Sequence, residues 1–325
     1  MRRILVTGGT GFVGANLVRR LLKRYPEAQI YLFVRGKHTN WRLHDLLDAV
    51  RLHELTLDDR DAVLRCVTQI QPEWVFHLAA HGAYSWQTNW YDIVQTNLNG
   101  SINLFEACAE TGFTAFVNAG SSSEYGFKDH APSEDEYANP NSNYAATKLA
   151  ATQYCRQMAQ AKNLPMCTLR LYSVFGPYEE PNRFFPALIL RGLNGALPPL
   201  VEPDIARDYI HVDDVCDAFI SAATAGDRIC GEVFNVGTGV QTKIKEIVEL
   251  VRATLAIDEE PYWGSMPNRT WDTNVWVANP DRIKTKLGWT AKHTLEAGFK
   301  STVDWFNKNP HLIDYYRQRL AAGVS

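Results

Sequence analysis

The 325-residue chain has no pair of cysteines at C-x-x-C spacing, no apolar run of membrane-spanning length and little excess of charge of either sign. Its six cysteines, Cys66, Cys108, Cys155, Cys167, Cys216 and Cys230, lie scattered and mostly inside apolar helical or strand patterns, which reads as reduced, buried thiols rather than a disulfide frame. A formal net charge of -3 gives no electrostatic reason to expect nucleic acid or a membrane as partner. The nine histidines are dispersed. His77 and His81 lack the one-face spacing of a zinc helix, and His211 reads as a satisfied core residue in a strand, so no metal is expected. No nucleophile elbow points to hydrolysis, and no internal repeat or low-complexity tract is present. The first strand-like run begins at Arg3, which leaves no room for a signal peptide, and the expected compartment is the cytoplasm.

What is present is ordinary globular composition, 46% hydrophobic and 21% charged, in a chain long enough for two lobes. Strand-like and helix-like periodicities alternate. Arg3 to Thr7 reads as a strand, Gly14 to Arg24 as a helix and Gln29 to Val34 as a strand. Trp74 to Leu78, Ala115 to Asn118 and Leu169 to Val174 read as further strands, with helices over Asp92 to Thr111 and Asn143 to Lys162. Such alternation predicts an α/β fold, a doubly wound parallel Rossmann sheet with helices on both faces. After Gly176 a run of prolines breaks the pattern, so a smaller α/β substrate lobe is expected over 176–325, following a dinucleotide lobe over 1–175. Arg207 to Asp214 and Glu232 to Val236 read as strands, and about 205–236 is expected to return to the first lobe.

Gly8-Gly9-Thr10-Gly11-Phe12-Val13-Gly14 falls between the first strand and the first helix, where backbone N–H groups and the helix N-terminus hold a pyrophosphate. The second strand ends at Arg35, where an acid would bind the ribose 2′-hydroxyl of NAD, so NADP(H) is the expected cofactor and NAD(H) the alternative. Lys37 and Arg42 add positive charge for a 2′-phosphate. Tyr144 and Lys148 stand four apart on a helix, so both project from one face. A phenol with an ordinary pKa near 10 needs such an ammonium to move protons near neutral pH. Ser121-Ser122-Ser123 follow a buried strand and put hydroxyls at the sheet's carboxyl edge.

Together with His77-Leu78-Ala79-Ala80, Asn97, Gly100, Arg170 to Pro177, Arg207-Asp208-Tyr209 and Val212-Asp213-Asp214, these motifs span nearly the whole chain. By them the sequence resembles the extended short-chain dehydrogenase/reductases, the NAD(P)-dependent epimerase/dehydratase group that acts on nucleotide sugars. The resemblance implies Ser121 as the hydrogen-bonding hydroxyl, with Ser122 the neighbouring alternative, Tyr144 as acid/base and Lys148 as its ribose-binding modulator. It implies cofactor contacts from Gly8, Thr10, Gly11, Phe12, Val13, Gly14, Arg35, Glu54, Leu55, Leu78, Ala79, Ala80, Asn97 and Tyr172. Substrate contacts are implied for His81, Tyr84, Ser122, Ser123, Ser173 and Arg183, with Arg207 and Arg269 on the diphosphate. Trp263, Trp271 and Trp276 are expected to shape the sugar-nucleotide pocket, with buried core tryptophans the more usual alternative, and the resemblance also implies a homodimer through a four-helix interface of the two long helices.

Where family dehydratases carry acids after the catalytic hydroxyl, this chain has Ser122 and Ser123, and Glu124, one position on, is expected to face elsewhere. That disfavours a 4,6-dehydratase. Reduction of a 4-keto deoxysugar by NADPH is the leading reading, and the stretch from Gly120 to Gly126 is similar to nucleotide-4-keto-6-deoxyhexose reductases and paratose-synthase-like enzymes. An NAD-dependent C4 epimerase is the alternative, although Ser173 stands where the family commonly has Asn. A cofactor sensor without catalysis would have no use for Tyr144 paired to Lys148.

Overall fold

The structure, a computed structural model, describes residues 2–36, 41–268 and 272–321. Seven parallel strands form one sheet in the order β10-β6-β5-β4-β1-β2-β3. They are β1 (Arg3–Thr7), β2 (Gln29–Val34), β3 (Arg51–Glu54), β4 (Trp74–His77), β5 (Ala115–Ser121), β6 (Met166–Leu171) and β10 (Glu232–Val236). The strand order reverses between β1 and β4, which opens a crevice at their carboxyl ends.

Both sheet faces are covered, which is why the central strands carry uninterrupted apolar runs. On one face α1 (Phe12–Arg24) and α7 (Val212–Ala223) bury Leu17, Val18, Leu21, Val215 and Phe219 against Ile4, Val6 and Phe76. On the other, α2 (Arg60–Ile70), α4 (Gly100–Thr111) and α5 (Asn143–Lys162) bury Val63, Val67, Leu104, Phe105 and Cys155 against Leu5, Val75 and Phe116. The helix expected over Asp92 to Thr111 runs from α3 (Trp90–Val94) through a π-helical segment, Gln95–Asn99, into α4.

A third core lies beyond the sheet, where α6 (Phe184–Gly192), α8 (Ile244–Leu255), α10 (Leu295–Lys308) and α11 (Pro310–Ala321) pack around Phe185, Ile189, Val248, Phe299 and Tyr316. Two small sheets join this region to the first: β7 (Ser173–Phe175) with β9 (Tyr209–His211), and β8 (Ala206–Arg207) with β11 (Thr242–Lys243).

Two strand readings need correction. The run Leu169 to Val174 is split, because Tyr172 N bonds Val236 O while Ser173 N turns to Asp208 O, so β7 leaves the main sheet. The run Arg207 to Asp214 is split as well: its two short strands pair outside the main sheet, and His211 serves as N-cap to α7 by accepting from Asp213 N.

Candidate functional site

The loop from β1 to α1 lies against the end of β4. Gly8 has φ +69°, and a Cβ on it would stand 2.6 Å from Ala79 N, so only glycine lets these two strand ends close. A Cβ on Gly14 would stand 2.2 Å from Gly8 O, which fixes glycine where helix and turn meet. Thr10, Phe12 and Val13 sit within this turn. Helix α1 has Gly11 as N-cap, no capping side chain and no acid in its first turn, so its first N–H groups are left for an anion. These features fit the pyrophosphate of a dinucleotide.

The neighbouring strand ends are fixed by a buried chain. Ala79 N donates to Thr7 Oγ1 (3.3 Å), and Thr7 Oγ1 lies 2.6 Å from His77 Nδ1. His77 Nε2 lies 2.8 Å from Ser101 Oγ, which donates to Asn97 O (2.6 Å). Burial pushes the His77 imidazole down to about 3, with Lys148 adding to the shift, so the ring is a neutral link in this chain. Leu78 N bonds Thr7 O, and buried Leu55 bonds Val34 O beside the end of β2. Ala80 follows the β4 end, and Tyr172, just past β6, is buried. Asn97 is fully buried; its amide bonds both backbone groups of His81 (2.8 Å each) and donates to Thr147 Oγ1 (3.1 Å). Asn97 therefore aligns the loop after β4 with α5, and π-helical segments such as the one that carries it recur at functional sites.

Ser121 ends β5 and caps a short 3-10 turn, Ser122–Tyr125. Its Oγ accepts from Ser123 N (3.2 Å), and Glu124 Oε1 accepts from Ser121 N (2.9 Å) in return. Glu124 is fully buried, bonded to Thr152 Oγ1 (3.1 Å) and paired with Arg170 Nε (2.8 Å). Across the crevice, α5 is capped by Ser142 and presents Tyr144 and Lys148. The Tyr144 phenol hydrogen-bonds Ser121; burial pushes it up to about 12 while that bond pulls the other way. Lys148 is buried, and desolvation lowers its pKa against the opposing pull of Glu124. Ser122 is bound differently, since its Oγ accepts from Trp276 Nε1 (3.1 Å). Of the two competing serines, Ser121 is the one that faces Tyr144.

Around this centre the rings of Tyr84 and Trp86 stack at 4.6 Å, with the Arg183 guanidinium 6.0 Å over Tyr84. Arg183 also lies 3.7 Å from Glu179, a buried carboxyl that desolvation pushes up to about 8. Ser173 begins β7, next to Asp208. Arg207 pairs with Asp272 (2.8 Å) and lies 5.3 Å over the Trp276 ring. Arg35 and Glu54 are both exposed, at the ends of β2 and β3. Lys37, Arg269 and Trp271 lie outside the described residues.

Arg42 is not free to meet a 2′-phosphate. It is buried, donates to Tyr178 O (2.7 Å) and pairs with Glu180 (2.8 Å), so its charge is already spent between the phosphate loop and the segment after β7. Nor is His211 a satisfied core residue: its Nε2 has no hydrogen-bond partner among the described residues, and burial pushes its imidazole down. It meets His293 at a ring distance of 4.6 Å, beside Asp213. The candidate ligand atoms of these three all lie within 4.8 Å of one another, and Arg20 lies 4.0 Å from Asp213.

A family model described as NAD dependent epimerase/dehydratase matches residues 4–237. A UDP-glucose 4-epimerase of Mycolicibacterium smegmatis is 31% identical over 94% of this chain and 98% of its own length. A trifunctional UDP-glucose 4,6-dehydratase/UDP-4-keto-6-deoxy-D-glucose 3,5-epimerase/UDP-4-keto-L-rhamnose-reductase of Arabidopsis thaliana is 26% identical over 95% of the chain. The chain spans about half the length of that relative, 47%. The solved structure of MoeE5 in complex with UDP-glucose and NAD superposes with a TM-score of 0.82 at 28% identity, covering 95% of this chain and 99% of that one.

Proposed function

Because the chain belongs to the NAD-dependent epimerase/dehydratase family, we propose that it is an NADPH-dependent reductase of the 4-keto group of a nucleotide-activated deoxysugar. NADPH, held by the glycine loop after β1, would supply the hydride. Tyr144 gives its phenolic proton to the oxygen as charge develops there, Ser121 donates a hydrogen bond to that oxygen, and Lys148 restrains the phenolate that is left. The phenol that burial holds protonated suits this direction of transfer. Arg207, with Arg183 at the mouth, binds the diphosphate by exchanging Asp272 and Glu179 for phosphate oxygens. Residues 1–175 with the returning β10 form the cofactor lobe in this reading, and the remainder the substrate lobe.

The observation that carries the reductase assignment is Arg35. It follows β2 at the ribose end of the cofactor groove, exposed, and no carboxylate among the described residues pairs with it. A 2′-phosphate answers that charge, and a cofactor that exchanges freely suits net reduction. Arg35→Ala is expected to weaken NADPH roughly 10- to 100-fold, as loss of a charge-assisted bond does. NADH affinity is expected to stay within about threefold on the same scale. Titration calorimetry on the cofactor-free protein checks this, and equal losses for both cofactors would contradict it.

The second reading is an NAD-dependent C4 epimerase. Two observations favour it: the full-length match to a UDP-glucose 4-epimerase, and the Glu54 carboxylate, 3.8 Å from where a Cβ on Gly36 would stand. An acid at that end of the groove accepts bonds from ribose hydroxyls.

A further inference from the structure

We propose that Trp276 is a positioning residue for the reaction: its indole N–H holds Ser122 so that the Ser122 hydroxyl points its own proton at an oxygen of the sugar. The inference rests on the nucleotide-sugar reading above and adds a second donor beside Ser121.

Trp276 lies 154 residues along the chain from the serine it bonds. Its segment is tied on both sides. Trp276 N donates to Gln241 Oε1 (2.9 Å), Gln241 Nε2 donates to Asn274 O (2.9 Å), and Ala278 N donates to the buried Asp208 (3.1 Å). Asp208 in turn accepts from Thr238 and Gly239, so the segment is anchored to the loop that follows β10. The indole is thus delivered to Ser122 by a braced stretch of chain.

A serine hydroxyl has one proton to give and two lone pairs to receive. The indole N–H occupies one lone pair of Ser122, and no acceptor for the Ser122 proton is present among the described residues. Ser122 is nonetheless only 6% exposed, so water does little to satisfy it. A buried donor without an acceptor is costly unless a ligand completes it. Ser122 follows Ser121 on one braced turn and lines a small cavity with Trp276 and Tyr172, and it is there that the proposal places the sugar oxygen. A hydroxyl free to rotate would aim this donor less well, and Trp276 removes that freedom. Arg207, 5.3 Å over the same ring, draws on the indole π-cloud and ties this arrangement to the residue assigned to the diphosphate. Neither Trp276 nor Ser122 takes part in a covalent step.

The test is a double-mutant cycle in the full chain, with Trp276→Phe, which keeps a ring and removes the N–H, Ser122→Ala, and the two combined. Turnover is read at 340 nm with NADPH and UDP-4-keto-6-deoxyglucose, together with the melting temperature of each variant. Each single change is expected to lower kcat about 10-fold with KM within about threefold, less than the full loss of an aimed donor because Ser121 remains. The double variant is expected to fall no further than Ser122→Ala, because both changes remove the same donor. Losses that multiply, an unchanged kcat in Trp276→Phe, or a loss confined to KM overturns the proposal. If the wild type interconverts UDP-glucose and UDP-galactose with NAD and does not consume NADPH, the reductase reading fails, and the cycle is read on that conversion. Coupling there sustains the role of Trp276, and additivity there overturns it.

Discussion

Tyr144→Phe is expected to lower kcat by about 10²- to 10⁴-fold, the usual worth of a positioned general acid, with NADPH affinity left within a few-fold. The substitution removes one oxygen. It leaves the Ser142 cap of α5 and the buried Lys148 in place, so the fold gives no reason for a loss of stability. What disappears is a phenol coupled to Ser121, whose pKa burial pushes up to about 12. Ser121 can still hold the sugar oxygen, which is why some rate above background should survive. A variant that keeps more than a tenth of wild-type kcat would remove Tyr144 from the chemistry.

Glu124→Ala is expected to cost about 3–5 kcal/mol of unfolding free energy, measured by urea denaturation, because it leaves the Arg170 guanidinium buried and uncompensated. The pair is deeply enclosed. Arg170 also donates to Glu134 O (3.1 Å) and lies 4.4 Å over the Tyr125 ring, while a Cβ on Gly120 would stand 2.7 Å from Glu124 Oε1. The same carboxylate closes the turn that carries Ser121 and Ser122, so activity should fall along with stability. Combining Glu124→Gln with Arg170→Met should lose less than the sum of the two single changes, since no charge is then left unpaired. A cost below about 1 kcal/mol for Glu124→Ala would show the pair to be better solvated than its burial implies.

This pair also shows where reading the chain alone reaches its limit. Glu124 is one position past the family's acidic place, and local spacing suggested that it turns away from the cleft. That its partner is Arg170, 46 residues on, is a tertiary fact without a local signal. The same holds for Arg42, whose basic character suggested a phosphate contact while its partner Glu180 lies 138 residues away. His211 and His293 meet because β9 and α10 pack together, and the bond from Trp276 to Ser122, 154 residues away, likewise has no local signal.

The fold was more legible where pattern and environment agree. Strands β1, β2 and β10 and helix α5 lie where their periodicity puts them, because each buries a continuous run or a single stripe. Strand β3 carries no strand signal, because Arg51, Leu52, His53 and Glu54 form an edge with no apolar run, paired to β2. Helix α2 did carry a signal: Asp59 caps it by accepting from Ala62 N, and Val63, Val67 and Ile70 follow at helical spacing. The tight turn at the glycines after β1 and the shared helix of Tyr144 and Lys148 were legible because both depend on local geometry.

The central claim, net reduction of a keto sugar, is tested most directly by mixing the purified protein with NADPH and UDP- or dTDP-4-keto-6-deoxyglucose and following absorbance at 340 nm. The account predicts loss of one NADPH per sugar reduced, with NADH a much poorer donor. An unchanged absorbance, together with tightly held NAD and interconversion of UDP-glucose and UDP-galactose, would contradict it.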